Sequence, residues 1–147
     1  MSWLIALIAL AAGAANPLQA GSNAELNKQL HSPMWATLIV YGTGLAGILL
    51  ALLVLRNTAP ARSAISGVPW WAWLGGLISI ASTVAGLTLA QKLGSGLFTG
   101  LTLTSSVIVS VLLDQFALVG FTRHPLSPLR AAGCGLLIAG VWLVARG

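Results

Sequence analysis

Charge is what this chain has least of: its 147 residues include seven Lys or Arg and two Asp or Glu. So few ionic groups cannot cover a water-facing surface of that size, and 57% hydrophobic residues with a mean hydropathy of +0.94 exclude a soluble domain. A single cysteine, Cys134, rules out an internal disulfide, and its place in an apolar run argues against a reactive thiol. No His, Cys, Asp or Glu residues stand at metal-ligand spacing, so no metal or cofactor is expected. There is no glycine-rich phosphate loop, and no Ser/His/Asp or Cys/His set has the surroundings of an enzyme site. The net charge of +5 and pI near 10.9 come from cations scattered singly, without the patch that nucleic acid requires.

What is present is a series of five apolar stretches. Their lengths predict helices over residues 3–21, 35–55, 70–90, 96–118 and 129–144. At ~1.5 Å per residue each crosses or nearly crosses a ~30 Å hydrocarbon layer, with every backbone donor and acceptor satisfied internally. The expectation is an all-α polytopic membrane protein whose single domain covers residues 1–147. The first stretch ends in small residues like a secretory signal, but Met1-Ser2-Trp3 lacks the cationic start such a signal needs, and we read it as a working helix.

Orientation is weakly encoded. One side of the membrane would carry Arg56, Arg62, Arg123 and Arg130, the other Lys28, Lys92 and Arg146. This small excess favours an N-terminus inside, yet suits insertion both ways and hence an antiparallel pair of identical subunits. Trp3, Trp35, Trp70, Trp71, Trp73 and Trp142 lie near the helix ends, where indoles anchor in the headgroup layer. Pro33, Pro69 and Pro128 stand at or before helix starts, and Ser127 is placed to cap the fifth helix.

Polar residues inside the spans carry the functional signal. At 100° per residue Asn16, Gln19, Asn23 and Asn27 fall within about 80° of one another, an amide stripe on the first helix. Pro17 within it frees the carbonyl of Gly13. One such amide alone would read as an interhelical hydrogen bond; four in register read as the lining of a hydrated space. The fourth helix repeats the arrangement with Thr102, Ser106 and Ser110, Thr99 on the same side, and Asp114 at the end of the ridge. These hydroxyls either bond their own helix or line a cavity. Asp114, near the membrane edge, is an anchor, a partner for Arg123, a bond to a loop, or a coupling carboxylate. Glu25 points away from the stripe and reads as a surface charge, and His31 and His124 as solvated turn residues. Small residues form seams at Gly75, Ser79, Ser82 or Thr83, Gly86 and Ala90 of the third helix, and at Gly44, Gly47 and Ala51 of the second, which permit close helix packing.

The run Gly133-Cys134-Gly135-Leu136-Leu137-Ile138-Ala139-Gly140-Val141 resembles the final helix of small multidrug resistance transporters. That resemblance implies a dimer interface at Gly133, Leu136, Leu137, Gly140 and Val141. Leu93-Gly94-Ser95-Gly96 and the polar fourth helix are similar to the penultimate helix of the same drug/metabolite transporter superfamily. Gln19, Asn23-Ala24, Leu26, His31-Ser32-Pro33 and Leu113-Asp114-Gln115-Phe116 extend the likeness over the whole chain to the YdcZ-type five-helix inner-membrane exporters.

The resemblance implies a bacterial inner-membrane protein that forms half of a ten-helix transporter. A second copy or a paralogue would complete it, with alternating access to a central site. One departure matters. Small multidrug resistance transporters carry a glutamate in the middle of the first helix, where this chain has Leu10-Ala11-Ala12-Gly13-Ala14-Ala15 and then Asn16. A cavity of amides and hydroxyls suits a neutral or zwitterionic small molecule better than a cation. The expected substrate contacts are Asn16, Gln19, Asn23, Thr102, Ser106 and Ser110, with Asp114 as the coupling candidate. The competing expectation is a non-transporting accessory or scaffold subunit whose polar stripes bond a partner protein.

Overall fold

The computed structural model describes residues 3–147. The helices are α1 (Trp3–Leu30), α2 (Pro33–Val54), a short α3 (Arg62–Ser66), α4 (Gly75–Leu93), α5 (Ser95–Phe116) and α6 (Pro128–Arg146). A 3₁₀ turn at Trp70–Leu74 runs directly into α4. No strand occurs among the described residues. Five segments are long and apolar enough to span a bilayer: Trp3–Leu30, Pro33–Val54, Trp70–Leu93, Ser95–Phe116 and Pro128–Arg146.

Most helix boundaries differ from the apolar runs, and the reasons are local. α1 continues nine residues past the expected end at Gly21 to Leu30, because Glu25, Lys28 and Gln29 favour helix once outside the membrane. Glu25 pairs with Lys28 at 3.8 Å and accepts from Gln29 at 2.7 Å, which fits its reading as a surface charge. The helix stops where His31 takes a left-handed φ of 51° and Pro33 holds Ser32 extended at φ −151°. Ser32 then caps α2 by accepting from the Trp35 N–H, a cap the sequence reading did not name. Ser127 caps α6 as expected, accepting from the Arg130 N–H at 3.2 Å.

α5 ends at Phe116 and not at Leu118. Ala117 is left-handed, and the N–H of Leu118 returns to the Leu113 carbonyl at 3.0 Å, so these apolar residues cap the helix and do not extend it. α3, also unforeseen, is a single exposed turn within the loop that follows α2.

The described chain divides into two compact units, one of α1 up to Leu18 with Leu89–Gly147, the other Gln19–Thr88. Within the first, α5 and α6 pack together. A Cβ added to Gly100 would lie 3.2 Å from Val141 Cγ2, so the glycine admits the close approach of α6. The second unit holds the buried Ala24, Ala36, Thr37 and Leu87. Across the whole chain large apolar side chains stay exposed on every spanning helix, as expected where lipid is the solvent.

Candidate functional site

The amides of the first helix are placed unequally. Asn16 and Gln19 are exposed, Asn23 and Asn27 half-buried. Asn27 Nδ2 donates to the Leu87 carbonyl on α4 at 2.9 Å. The end of the stripe nearest the membrane surface is therefore an interhelical tie within Gln19–Thr88, of the kind worth ~0.6–2 kcal/mol. Asn16, Gln19 and Asn23 make no side-chain hydrogen bond among the described residues, which leaves their donors and acceptors available.

The hydroxyl ridge of α5 is exposed and partly satisfied by its own helix. Thr102 Oγ1 donates to the Phe98 and Thr99 carbonyls at 2.9 and 3.1 Å, and Ser106 Oγ to Thr102 O at 2.7 Å. With their protons spent on the backbone, Thr102 and Ser106 face outward as acceptors. Ser110 is exposed.

Asp114 holds together the connection between α5 and α6. Its Oδ2 lies 3.6 Å from Arg130 Nη1 and 4.0 Å from His124 Nδ1, and its backbone carbonyl accepts from the His124 N–H at 3.0 Å. The cationic partner is thus Arg130 and not Arg123. Next to it, Gln115 Oε1 accepts from the Leu126 N–H at 2.5 Å, and Arg130 Nη1 donates to the His124 carbonyl at 3.3 Å. The Asp114-Gln115 pair fastens both ends of the stretch that leads into α6. His124, expected as a lone turn residue, is part of this cluster.

The residues expected at a dimer interface differ in exposure along α6. Gly133, Leu137 and Val141 are half-buried, Val141 against Gly100 of α5, whereas Leu136 is 73% exposed and Gly140 has open space where a Cβ would stand. At the end of α6, the Arg146 guanidinium lies 4.1 Å from the Trp142 ring centroid, a cation–π pair suited to the headgroup layer. Among the described residues no group of three or more His, Cys, Asp or Glu is arranged to hold a metal ion.

Sequence reasoning missed one polar group altogether. Tyr41, the chain's single tyrosine, lies in the middle of α2 and donates to Ser79 Oγ on α4 at 2.7 Å, with Thr83 Oγ1 at 3.0 Å. The signal was present: Ser79 and Thr83 stand one turn apart on the predicted third helix. In the small-residue seam of that helix they count as small side chains and not as hydroxyls.

Five apolar spans with amide and hydroxyl groups within them define a polytopic membrane protein. The sequence matches the family described as "Putative inner membrane exporter, YdcZ" over residues 4–143. The chain belongs to that family, and with it to the multi-pass proteins of the inner membrane. It is also similar to the "Inner membrane protein YdcZ" of Escherichia coli (strain K12), 32% identical over 107 residues that cover 69% of this chain and 70% of the relative. No solved structure matches it.

Proposed function

We propose that this protein carries a small organic solute across the inner membrane by alternating access, as an antiparallel dimer of five-helix domains, and that it is not an enzyme. The observation behind this reading is that Asn16, Gln19 and Asn23 lie on an apolar spanning helix with their hydrogen-bonding groups unspent. Amides facing lipid are unfavourable, so they turn to a hydrated space or another subunit. Membership of an exporter family makes the hydrated space the better choice. Thr102, Ser106 and Ser110 are the solute acceptors we assign to α5, and the absence of charge from the α1 stripe selects a neutral or zwitterionic solute. Asp114, already engaged by Arg130, is the coupling candidate, through exchange of that partner.

The test is solute flux into liposomes that contain only this chain. Flux from the chain alone supports a transporter, whereas flux that requires a second protein supports the accessory-subunit reading. Gln19→Leu and Asn23→Leu should leave folding nearly intact and abolish flux. Undiminished transport in both variants removes the amide stripe from the site.

A further inference from the structure

The Tyr41 cluster has a direction. Tyr41 has one hydroxyl proton and gives it to Ser79 Oγ at 2.7 Å, so the 3.0 Å approach of Thr83 Oγ1 makes Thr83 the donor to Tyr41. The chain of donation runs Thr83 to Tyr41 to Ser79. Elsewhere in the spans Thr37, Thr43, Thr88 and Thr102 spend their protons on the carbonyl three or four residues back. Ser79 makes no such bond among the described residues and is exposed. Its proton therefore ends the chain unspent, on a donor polarised by the two hydroxyls behind it. Tyr41 lies near the middle of Pro33–Val54 and Ser79 near the middle of Trp70–Leu93, so this donor sits at the depth of the hydrocarbon core. An unspent O–H facing lipid there is costly.

We propose that Thr83, Tyr41 and Ser79 form a solute-binding point at mid-membrane depth, with the Ser79 hydroxyl as the donor and an uncharged solute bearing an acceptor oxygen as the ligand. The acids and bases of Gln19–Thr88 are Glu25, Lys28, His31, Arg56 and Arg62, all toward or beyond the helix ends. None stands beside the hydroxyls at mid-span to compensate a charged ligand. A hydroxyl or carbonyl oxygen accepts from Ser79 without a counter-ion. The proposal rests on the transporter reading for its biological use, but the binding point is tested independently of flux.

Ser79→Cys in a Cys134→Ala background, reconstituted in liposomes, is treated with a membrane-impermeant thiosulfonate, with Ile78→Cys as the apolar comparison. Because only a thiolate formed in water reacts, modification of Ser79→Cys should be about tenfold faster than that of Ile78→Cys. Xylitol, an uncharged polyol, should slow it, while glutamate and tetraphenylphosphonium should not. Equal slow reaction at both positions overturns the proposal. So does fast reaction that no probe slows, which would leave the hydroxyls as an interhelical tie, or that only an ionic probe slows.

Should Ser79→Cys fail to fold, the wild-type protein labelled with ζ-¹³C-tyrosine gives one resonance, since Tyr41 is the single tyrosine. A shift on addition of xylitol supports the binding point, and an unmoved resonance overturns it. Measurable flux with an unreactive Ser79→Cys would defeat this proposal alone; a protected, reactive Ser79→Cys without flux would defeat the transporter reading alone.

Discussion

Beyond the left-handed Ala117 that caps α5, two further residues hold the backbone in a region that side chains disfavour. Val119 and Gly120 have φ values of 53° and 80°, and the Phe121 N–H closes onto the Leu118 carbonyl at 3.1 Å. Two positive φ angles inside one tight turn are what Asn-Gly prefers, and a β-branched residue in the first position is strained. Val119→Asn should therefore raise stability by about 1 kcal/mol, visible as a higher midpoint of thermal unfolding in detergent. The sequence places Val119 just past the expected helix end at Leu118 and beside Gly120, but carries no sign that the valine itself turns left-handed. Asp114 was half legible. Its place near the membrane edge showed that it would seek a partner, but the choice of Arg130 over Arg123 depends on how residues 117–127 fold back. Tyr41 was legible only through the spacing of Ser79 and Thr83, since a tyrosine within a span reads as bulk until the opposite helix is in view.

At the scale of the helix, apolar length located all five spans but not their ends. Hydropathy reports where lipid begins, whereas a helix ends where capping and backbone conformation end it. α1 outruns its apolar part, α5 stops short of it, and the Trp70–Leu74 segment enters the span as a 3₁₀ turn. The small residues were legible as packing devices, though not which helix each would meet. Gly100 is the sharpest case, with Val141 Cγ2 only 3.2 Å from where its Cβ would be. A valine on a helix has essentially one rotamer and cannot swing aside. Gly100→Leu should push α5 and α6 apart at a cost of about 1–3 kcal/mol, measured as a lower unfolding midpoint. Val141→Ala removes the opposing methyls and should recover part of that loss in the double variant. Additive losses would show that the two residues do not meet.

At the scale of the molecule, the interior is too small to account for its own surface. Leu87 is the largest side chain buried almost completely, while large apolar side chains remain exposed on every span. Lipid covers much of such a surface, but α6 offers a face that suits a protein better. Leu129 and Leu136 are exposed there, at 84% and 73%, and Gly140 follows with open space at its Cβ position. Small and large residues alternating at helical spacing let a second helix approach closely, which is what holds helices together where apolar burial gives no driving force. Val141, about 100° round the helix from Gly140, already meets Gly100 within the chain. In the proposed dimer these two faces separate folding from assembly. Gly140→Leu should not lower the unfolding midpoint of the single chain, because a Cβ there meets nothing within 4 Å and leucine favours helix more than glycine does. In the membrane it should abolish cross-linking between two copies and reduce solute flux with it, since the proposed carrier is a dimer. Cross-linking at the wild-type level in Gly140→Leu would show that the copies pair through another face, and a fall in the single-chain midpoint would show that Gly140 serves the fold instead.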